Sequence, residues 1–294
     1  MWGRFGKTAS MMVLLRRAKL LVAAALSLVI RALSPAGSVA TLVDAPTGRF
    51  LVPVGDVFVA RRVGQRAGHD EAVLRAALAA TEPGSEVLVV GAHVGVHAIP
   101  LALAGRRVAV VEANPTTFDL LMANARLNGV EFVGALQAAA HRSPGVARFL
   151  ASASNTGGSK VRPRKSRFEY VYDRPIEIEV ERVRLDDWLP AREMVAPFLV
   201  IDIEGSEADA LAGMPNILDA SVGAVIEIHP AAVADSAGAE ALQAVLADHF
   251  VDARDVADPT DRYGPASCVA EVEARHGAMA SVDLEFSKSP FSVA

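Results

Sequence analysis

The stretch Val87–Gly95 most constrains the fold, because it reads Val-Leu-Val-Val-Gly-Ala-His-Val-Gly. Four aliphatic residues that follow Pro83-Gly84 predict a buried parallel strand. Gly91 allows a sharp turn, and the apolar run from Val94 to Ala104 predicts a helix just beyond it. A strand, a glycine turn and a helix in this order are typical of the opening unit of a nucleotide-binding sheet.

Glu112 supports a ligand site at this turn. It ends a second predicted strand, Arg107–Val111, and an acid at that place commonly binds ribose hydroxyls. Glycines let the main chain approach a ligand that a Cβ would block, and a helix start offers free N–H donors. The alternative is an ordinary α/β turn with a solvated glutamate.

Composition narrows the class of protein. The chain has 294 residues, of which 52% are hydrophobic, so it can form one large domain or two modest ones with a sizeable core. A net charge of −5 gives no general attraction to nucleic acid, and we expect no nucleic-acid partner. The single cysteine, Cys268, excludes an internal disulfide and is typical of a reducing compartment, which favours a cytoplasmic location.

The N-terminus has two interpretations. Basic residues precede an apolar run from Leu20 to Ile30, and Ser38-Val39-Ala40 follows it, which is the order of a secretory signal. Arg31 closes the run at once, and the run is too short to span a bilayer comfortably. We therefore favour a packed or membrane-surface helix, with peripheral membrane contact through residues 11–33.

The chain divides into an N-terminal helical segment (1–47), one α/β domain (48–286) and a loose tail (287–294). Residues 48–82 are predicted to cover the domain with a β-hairpin turning at Gly55-Asp56 and a helix, Glu71–Ala80. Residues 152–175 are predicted to form a flexible basic loop, which could close over an anionic substrate or merely be solvated.

Further elements follow from periodicity and turn residues. Thr116 and Asp119 form a capping-box pattern for a helix that stops at Asn128-Gly129. The other predictions are a strand Phe132–Ala139 paired in a hairpin with Val146–Leu150, an antiparallel strand Ile176–Val180, a helical turn Leu185–Leu189, a strand Ala224–Ile228, a helix Ala237–Phe250, an acidic loop Asp252–Pro265, and strands Ser267–Ala270 and Val282–Phe286.

A second informative stretch is Phe198–Glu207, in which a buried strand ends in carboxylates. Asp202 and Glu204 are two residues apart, so they point to the same side of an extended chain. A capping-box spacing at Ser206 and Asp209 gives those residues a structural explanation but does not extend to Asp202 or Glu204. Because strand carboxyl ends meet at one edge of a parallel sheet, Asp202, Glu204 and His229 should converge near Gly91.

Taken in order, these motifs resemble the FkbM-type methyltransferases over about residues 48–252. The resemblance rests on Val-Gly-Ala-His-Val-Gly (90–95), Glu-Ala-Asn-Pro (112–115), Asn155 with Gly157-Gly158, Leu-Asp-Asp-Trp-Leu (185–189), Ile-Asp-Ile-Glu-Gly-Ser-Glu (201–207) and Glu-Ile-His (227–229). It implies an S-adenosylmethionine-dependent enzyme with a Rossmann-like sheet of seven mostly parallel strands, the last antiparallel. It also implies methylation of a hydroxyl oxygen on a sugar, polyketide or other specialised metabolite.

The resemblance assigns roles to particular residues. The cofactor-binding set is Gly91, Ala92, His93, Gly95, Glu112, Asn114 and Ala139, with Glu112 on the ribose. Asp202 and Glu204 would face the transferring methyl group. His229 is the leading candidate for the base because its pKa lies near neutrality, with Asp202 or Glu204 as alternatives. Paired carboxylates also suit Mg²⁺, which makes a divalent ion a second expected ligand.

Two further interpretations stay open. Val89 and Val200 stand where the family pattern has an acid and commonly a lysine, which favours a catalytically degenerate binding protein. A dinucleotide oxidoreductase shares the turn and the acid, but this chain has Gly-x-x-x-Gly instead of Gly-x-Gly-x-x-Gly. For the methyltransferase we expect a small-molecule or glycan acceptor, and self-association of the chain is compatible with each interpretation.

Overall fold

The computed structural model describes residues 22, 25–64, 69–165, 175–189 and 194–292. Its strands are β1 (Ala40–Ala45), β2 (Gly48–Pro53), β3 (Glu86–Val90), β4 (Arg107–Glu112), β5 (Gly134–Gln137), β6 (Ala139–Ala140), β7 (Gly145–Ala151), β8 (Lys160–Val161), β9 (Ile176–Val183), β10 (Phe198–Ile201), β11 (Gly223–Ile228), β12 (Asp252–Asp255), β13 (Arg262–Tyr263) and β14 (Val282–Ser287).

The helices are α1 (Val57–Gly64), α2 (His69–Ala79), α3 (Ala98–Leu103), α4 (Pro115–Leu127), α5 (Leu185–Trp188), α6 (Glu207–Leu211), α7 (Pro215–Ala220), α8 (Pro230–Asp235), α9 (Ala239–His249) and α10 (Cys268–His276). A 3₁₀ turn spans Thr156–Gly158.

The central sheet confirms the predicted Rossmann-like fold. Among the described residues it has eight strands in the order β13-β12-β14-β11-β10-β3-β4-β5. The five strands from β11 to β5 are parallel, and β14 runs antiparallel to β11. The strand count exceeds the predicted seven because the two-residue strand β13 adds an edge beside β12. From β3 the chain builds first towards β5 and later returns to β10, so the strand order reverses between β3 and β10.

Each face of the sheet packs against its own apolar layer. Leu88 and Val90 of β3 belong to a core formed with the helices after β10, whereas Val87 and Val89 face a core formed with α2 and α3. All four side chains are almost fully buried. This double burial explains why β3 reads as a continuous aliphatic run without alternation.

A second sheet corrects the predicted hairpin of residues 132–139 and 146–150. It has the order β6-β9-β7-β8, and β7 pairs antiparallel with β9 along its whole length. The strand β5 ends at Gln137 in the central sheet, and Ala139–Ala140 already pairs with β9. The Pro144-Gly145 turn therefore does not join sheet neighbours, although the antiparallel strand predicted at 176–180 is confirmed.

The N-terminal cover differs from its prediction. The hairpin is formed by β1 and β2, so its first strand lies within the segment predicted to be helical. The segment predicted as its second arm is the helix α1, because the Oδ1 of Asp56 accepts a hydrogen bond from Val59 N at 2.9 Å and caps that helix. Alternating apolar residues over so few positions fit either period.

Helix starts also depart from the predicted capping boxes. Asn114 caps α4 by accepting from Thr116 N at 3.1 Å, so Thr116 is inside the helix. Ser206 precedes α6 without a side-chain capping bond. At α4 the cap lies two positions before the predicted one, and sequence spacing does not identify which polar residue satisfies a helix end.

The C-terminal part contains more regular structure than predicted. The predicted acidic loop 252–265 contains β12 and β13, and residues predicted as a strand at 267–270 begin the helix α10. The predicted loose tail is held in place, because the Nζ of Lys288 donates to Asp219 O at 3.1 Å and Phe291 N donates to an Asp252 carboxylate at 3.0 Å. Both Arg254 and Arg262 lie over the ring of Phe291.

The N-terminal run is described only in part. Residues 25–33 are helical, whereas residues 1–21, 23 and 24, which carry most of the predicted signal or surface helix, lie outside the described residues. In the part of the chain that is described, no helix is long and apolar enough to cross a membrane.

Candidate active site

A cleft opens where the chain leaves β3, β4 and β10. Its lining includes Gly91 and His93 after β3, Glu112 at the end of β4, and Asp202 and Glu204 after β10. The cleft holds about 910 Å³ of empty space, counting the solvent at its mouth. The predicted convergence near the glycine turn holds for Asp202 and Glu204, whereas His229 is not among the lining residues. The cleft lies at the reversal of strand order, where α/β sheets bind ligands.

Gly91 is required where two chain segments meet. Its φ is +83°, and an added Cβ would lie 1.8 Å from the carbonyl oxygen of Asp202. The amides of Gly91 and Ala92 both donate to Val111 O, at 2.9 and 3.0 Å, and Gly95 N donates to Ala92 O. The prediction that this turn offers free N–H donors is wrong for these amides, because the end of β4 already accepts two of them.

Glu112 connects the turn to the helix α4. Its Oε2 accepts from His93 N at 2.7 Å, and its Oε1 accepts from Asn114 N at 2.8 Å and from the hydroxyl of Thr117 at 2.9 Å. Burial raises the pKa of this carboxyl. A carboxylate accepts about four hydrogen bonds, so these three leave room for one ligand hydroxyl on the side of Oε2. The structural and the ribose-binding interpretations are therefore compatible.

A hydrogen-bond chain closes one wall of the cleft. The Nε2 of His93 lies 2.7 Å from Thr156 Oγ1, and that hydroxyl donates to Asp56 Oδ2 at 2.6 Å. Because the hydroxyl hydrogen goes to the carboxylate, the oxygen accepts from His93, which is assigned as a donor. These hydrogen bonds link the glycine turn, the 3₁₀ turn and the start of α1, and they give His93 a positioning role.

Carboxylates concentrate on the opposite wall. Oxygens of Asp202, Glu204 and Glu227 lie within 4.8 Å of one another, and Asp283 pairs in register with Glu227 on the neighbouring strand β14. Burial raises the pKa of Asp202 well above its usual range, and Glu227 and Glu204 raise it further. Burial and Glu227 also raise the pKa of Glu204. Asp202 and Glu204 therefore hold protons more tightly than solvated acids do.

Two cations partly offset these acids. The Nζ of Lys160, on β8, lies 3.5 Å from Glu204 Oε2, and Lys160 is only 7% exposed. Arg62 of α1 lines the cleft and lowers the pKa of Asp202. Sequence reasoning missed Glu227 and Lys160 as site residues, although an acid within the apolar strand β11 was a usable signal.

His229 does not have the geometry of the predicted base. It caps α8, where its Nδ1 accepts from Ala232 N at 3.2 Å. A neutral imidazole whose Nδ1 accepts a hydrogen bond carries its own hydrogen on Nε2, so neither nitrogen offers a lone pair to an acceptor hydroxyl.

The remaining predicted cofactor residues divide into two groups. Ala139 lines the cleft. Ala92, Gly95 and Asn114 are not among its lining residues: a Cβ at Gly95 would meet Ile99 at 2.7 Å, and Asn114 caps α4. Side chains of Ile99 and Leu121 pack against Gly95, so no open space adjoins that side of the glycine. The cleft lies beside His93 instead.

Val89 and Val200 are cross-strand neighbours. They pair in register between β3 and β10, and both side chains are buried in the core beneath α2 and α3, at 1% and 2% exposure. Neither lines the cleft. The two departures from the family pattern therefore fall on neighbouring core side chains outside the lining of the cleft.

The sequence matches the model of a known protein family. A model described as the methyltransferase FkbM domain matches residues 90–252, more than half of the chain. No curated protein matches the chain.

Solved structures with a similar chain path include a putative transferase from Pyrococcus horikoshii, at 14% identity and a TM-score of 0.38, covering 85% of this chain and 73% of that one. TYW2 from M. jannaschii in complex with AdoMet has 13% identity and a TM-score of 0.41, covering 86% and 87%. A SAM-dependent methyltransferase from Agrobacterium tumefaciens has 12% identity and a TM-score of 0.38, covering 87% and 72%. The family match spans β3 to the start of β12 and includes both walls of the cleft, and it shows that this chain belongs to the FkbM methyltransferase domain family.

Proposed function

We propose that the protein is an S-adenosylmethionine-dependent methyltransferase that methylates a hydroxyl oxygen of a small-molecule or glycan acceptor. The observation that carries the proposal is the cleft with Glu112 on one wall and Asp202 and Glu204 on the other, where a Glu227 oxygen lies within 4.8 Å of oxygens of both. One wall offers a hydroxyl-binding acceptor, and the other favours a cation.

The residues present fit such a cofactor. The three carboxylates and Asp283 outnumber the nearby cations Lys160 and Arg62, so a bound positive charge would be stabilised there. Close packing of Gly91 against β10 holds the floor of the cleft without side-chain bulk. When bound, S-adenosylmethionine would supply a methyl group on a sulfonium centre.

The chain's own tasks are to orient the acceptor and to take its proton. Asp202 is the proposed base, because its raised pKa makes its carboxylate a stronger base than a solvated one. Arg62 opposes this rise in the pKa and so favours the ionised carboxylate that a base requires. Glu204 is held by Lys160 and acts as a positioning residue.

Calorimetry with S-adenosylhomocysteine and with NAD tests the proposal. We expect the wild type to bind S-adenosylhomocysteine in preference to NAD. The variant Asp202→Asn should keep that binding but lose methyl transfer to a panel of hydroxyl acceptors by roughly a hundredfold or more, as expected for removal of a base. Asp44→Asn, an exposed acid on β1, is the matched control.

The outcomes separate the alternatives. Preference for NAD would support the oxidoreductase interpretation. Binding of S-adenosylhomocysteine without product from any acceptor would support a degenerate binding protein. Equal transfer by Asp202→Asn and the wild type would remove Asp202 from the role of base.

Mg²⁺ is a competing occupant of the same carboxylates. The spacing of Asp202, Glu204 and Glu227 would admit one ion, whereas the contact of Lys160 with Glu204 already occupies part of that cluster. The mechanism takes no step through a metal. We therefore expect methyl transfer to proceed without a divalent ion. The test is the rate of methyl transfer after dialysis against EDTA, with and without added MgCl₂.

Peripheral membrane contact through residues 11–33 stays a proposal. In helix 25–33, Ser27 and Arg31 face the domain, and Arg31 donates to Ala153 O at 2.7 Å. Leu28 and Leu33 of the same helix are 70% and 81% exposed. An apolar face turned outwards fits a lipid surface or a second copy of the chain. Liposome co-sedimentation and size-exclusion chromatography distinguish these two partners.

A further inference from the structure

A second depression lies beside the cleft, between β7, β8, β9 and the start of α6. It holds about 850 Å³ of empty space, counting the solvent at its mouth, and shares Val161 and Ser206 with the lining of the cleft. We call it the basic groove. A molecule lying across Ser206 would therefore reach both the groove and the carboxylate wall.

Positive charge dominates the basic groove. Its charged lining consists of four guanidiniums and one carboxylate, those of Arg148, Arg162, Arg164, Arg182 and Asp209. Glu177 contacts Arg148 at 3.4 Å and also pairs with Arg162. Arg142 also pairs with Asp209, so five guanidiniums face two carboxylates and positive charge is in excess. Burial lowers the pKa of His141, which also lines the groove, so this residue is neutral near pH 7.

Arg182 is the cation that the surroundings neutralise least. Its Nη1 lies 3.5 Å from His141 Nε2, and its buried Nε has no hydrogen-bond acceptor among the described residues. Within that same part of the chain no carboxylate lies at ion-pair distance from Arg182. Gly145 makes room for the guanidinium, since an added Cβ there would lie 2.8 Å from an Arg182 nitrogen.

A half-buried guanidinium such as that of Arg182 lowers the free energy of unfolding unless an anion completes its hydrogen bonding. Arg164, whose side chain is 61% exposed at the rim, lies 3.5 Å from Asp209 and has capacity for a second partner. Guanidinium forks match the oxygen geometry of phosphate. A phosphate monoester carries about −1.5 to −2 charges at pH 7, which would offset much of this positive excess.

We propose that the basic groove binds the phosphate group of a phosphorylated small-molecule acceptor and places a neighbouring hydroxyl at the carboxylate wall. This inference rests on the proposed function for the identity of the occupant, but not for the binding of phosphate. A polyanion such as RNA is less well matched, because the acidic wall lies immediately beyond Ser206 and would repel a continued phosphate chain.

Titration with inorganic phosphate and with pyrophosphate, at constant ionic strength, tests the groove. The proteins compared are the wild type, Arg182→Gln, Arg164→Gln and the control Arg126→Gln, an exposed arginine on α4. We expect each groove variant to bind phosphate at least tenfold more weakly than the wild type, since a hydrogen bond to a charged group is worth about 1.5–3 kcal/mol. Arg126→Gln should match the wild type.

The rim variant Arg164→Gln keeps the test decisive if Arg182→Gln fails to fold, because the Arg164 side chain is largely exposed. Equal phosphate affinity in Arg164→Gln and the wild type would overturn the proposal. If acetate displaces phosphate at equal concentration, the groove does not select phosphate. The proposed phosphate group would then be overturned in favour of a carboxylate group. An RNA oligonucleotide that binds more tightly than pyrophosphate, with affinity lost in the same variants, would also overturn it.

S-adenosylhomocysteine distinguishes the two proposals. We expect phosphate and S-adenosylhomocysteine to bind without competing, because the groove and the cleft share only their border. Phosphate binding without any binding of S-adenosylhomocysteine would refute the proposed function and leave the groove intact. Competition between the two ligands would show that the anion enters the cleft and would refute the groove.

Discussion

Glu207 should make the stability of the protein depend on pH in the neutral range. It lies at the start of α6 and is 1% exposed. Its Oε1 accepts from Gly205 N at 3.0 Å, whereas its Oε2 has no hydrogen-bond partner within the described residues. Burial raises the pKa of this carboxyl from 4.5 to about 7, with smaller contributions from Glu227 and Glu204.

The sign follows from comparing the folded and the unfolded chain. Below pH 4.5 both states are protonated, and the stabilising effect is fully present. Between pH 4.5 and 7 the unfolded chain loses the proton while the folded chain keeps it, so the free energy of unfolding falls as the pH rises. A difference of about 2.5 pKa units corresponds to a loss on the order of 3 kcal/mol. That is a large part of a typical stability of about 5–15 kcal/mol.

Urea unfolding of the wild type and of Glu207→Gln at pH 5 and pH 8 measures the effect. Glutamine can still accept from Gly205 N but cannot ionise, so the variant should gain on the order of 3 kcal/mol relative to the wild type between the two pH values. Glu240→Gln, at an exposed acid in the first turn of α9, should show no such change. A stability difference between Glu207→Gln and the wild type that stays constant with pH would refute the reasoning.

Three further substitutions test the packing around the cleft. Val89→Asp and Val200→Lys should each lower the free energy of unfolding by several kcal/mol. In a urea double-mutant cycle the double variant should recover roughly 0.5–3 kcal/mol. An absence of coupling would mean that the two side chains do not meet. Gly91→Ala should abolish binding of S-adenosylhomocysteine in calorimetry, whereas Gly84→Ala, with φ +89° and open space, should cost only about 1–2 kcal/mol of stability; equal effects would contradict the close contact behind Gly91. Glu112→Gln should lower the stability without ligand by about 1–3 kcal/mol, because its amide would face backbone donors, and an unchanged melting temperature would show that those hydrogen bonds are absent.

The centre of the fold could be predicted because its signals are local. A continuous aliphatic run followed by glycine defines β3, and a similar run followed by Asp202 defines β10. Both patterns arise from burial on two faces of a parallel sheet. The ligand-facing ends of these strands follow from the same geometry, which explains why Asp202 and Glu204 were identified together.

The edges of the fold could not be predicted in the same way. Residues 57–60 and 267–270 are short apolar segments whose helical state depends on Asp56 as a cap in the first case and on packing in the second. The pairing of β7 with β9 joins segments that are separated by the basic loop, so no local turn signal specifies it. Long-range strand pairing is set by the tertiary structure.

The residues missed by sequence reasoning contact the acids of the cleft through such long-range pairing. Lys160 comes from the short strand β8, and Glu227 gains its significance only when β11 places it beside Asp202 and against Asp283 of β14. His229 shows the converse, because its sequence position after β11 suggested a base, whereas its capping of α8 uses the nitrogen that a base would need.

The two charged regions together would fix the direction in which an acceptor lies. The carboxylate wall disfavours an anion, and the basic groove beyond Ser206 favours one, so an acceptor with a phosphate at one end would bind with that end in the groove. With the phosphate at Arg182, the reacting hydroxyl would be the one that the acceptor places beside Asp202, across the border that the groove and the cleft share. Specificity would arise from this separation of opposite charges more than from contacts with the rest of the acceptor, because reversal of the acceptor would place its anion against Asp202 and Glu204.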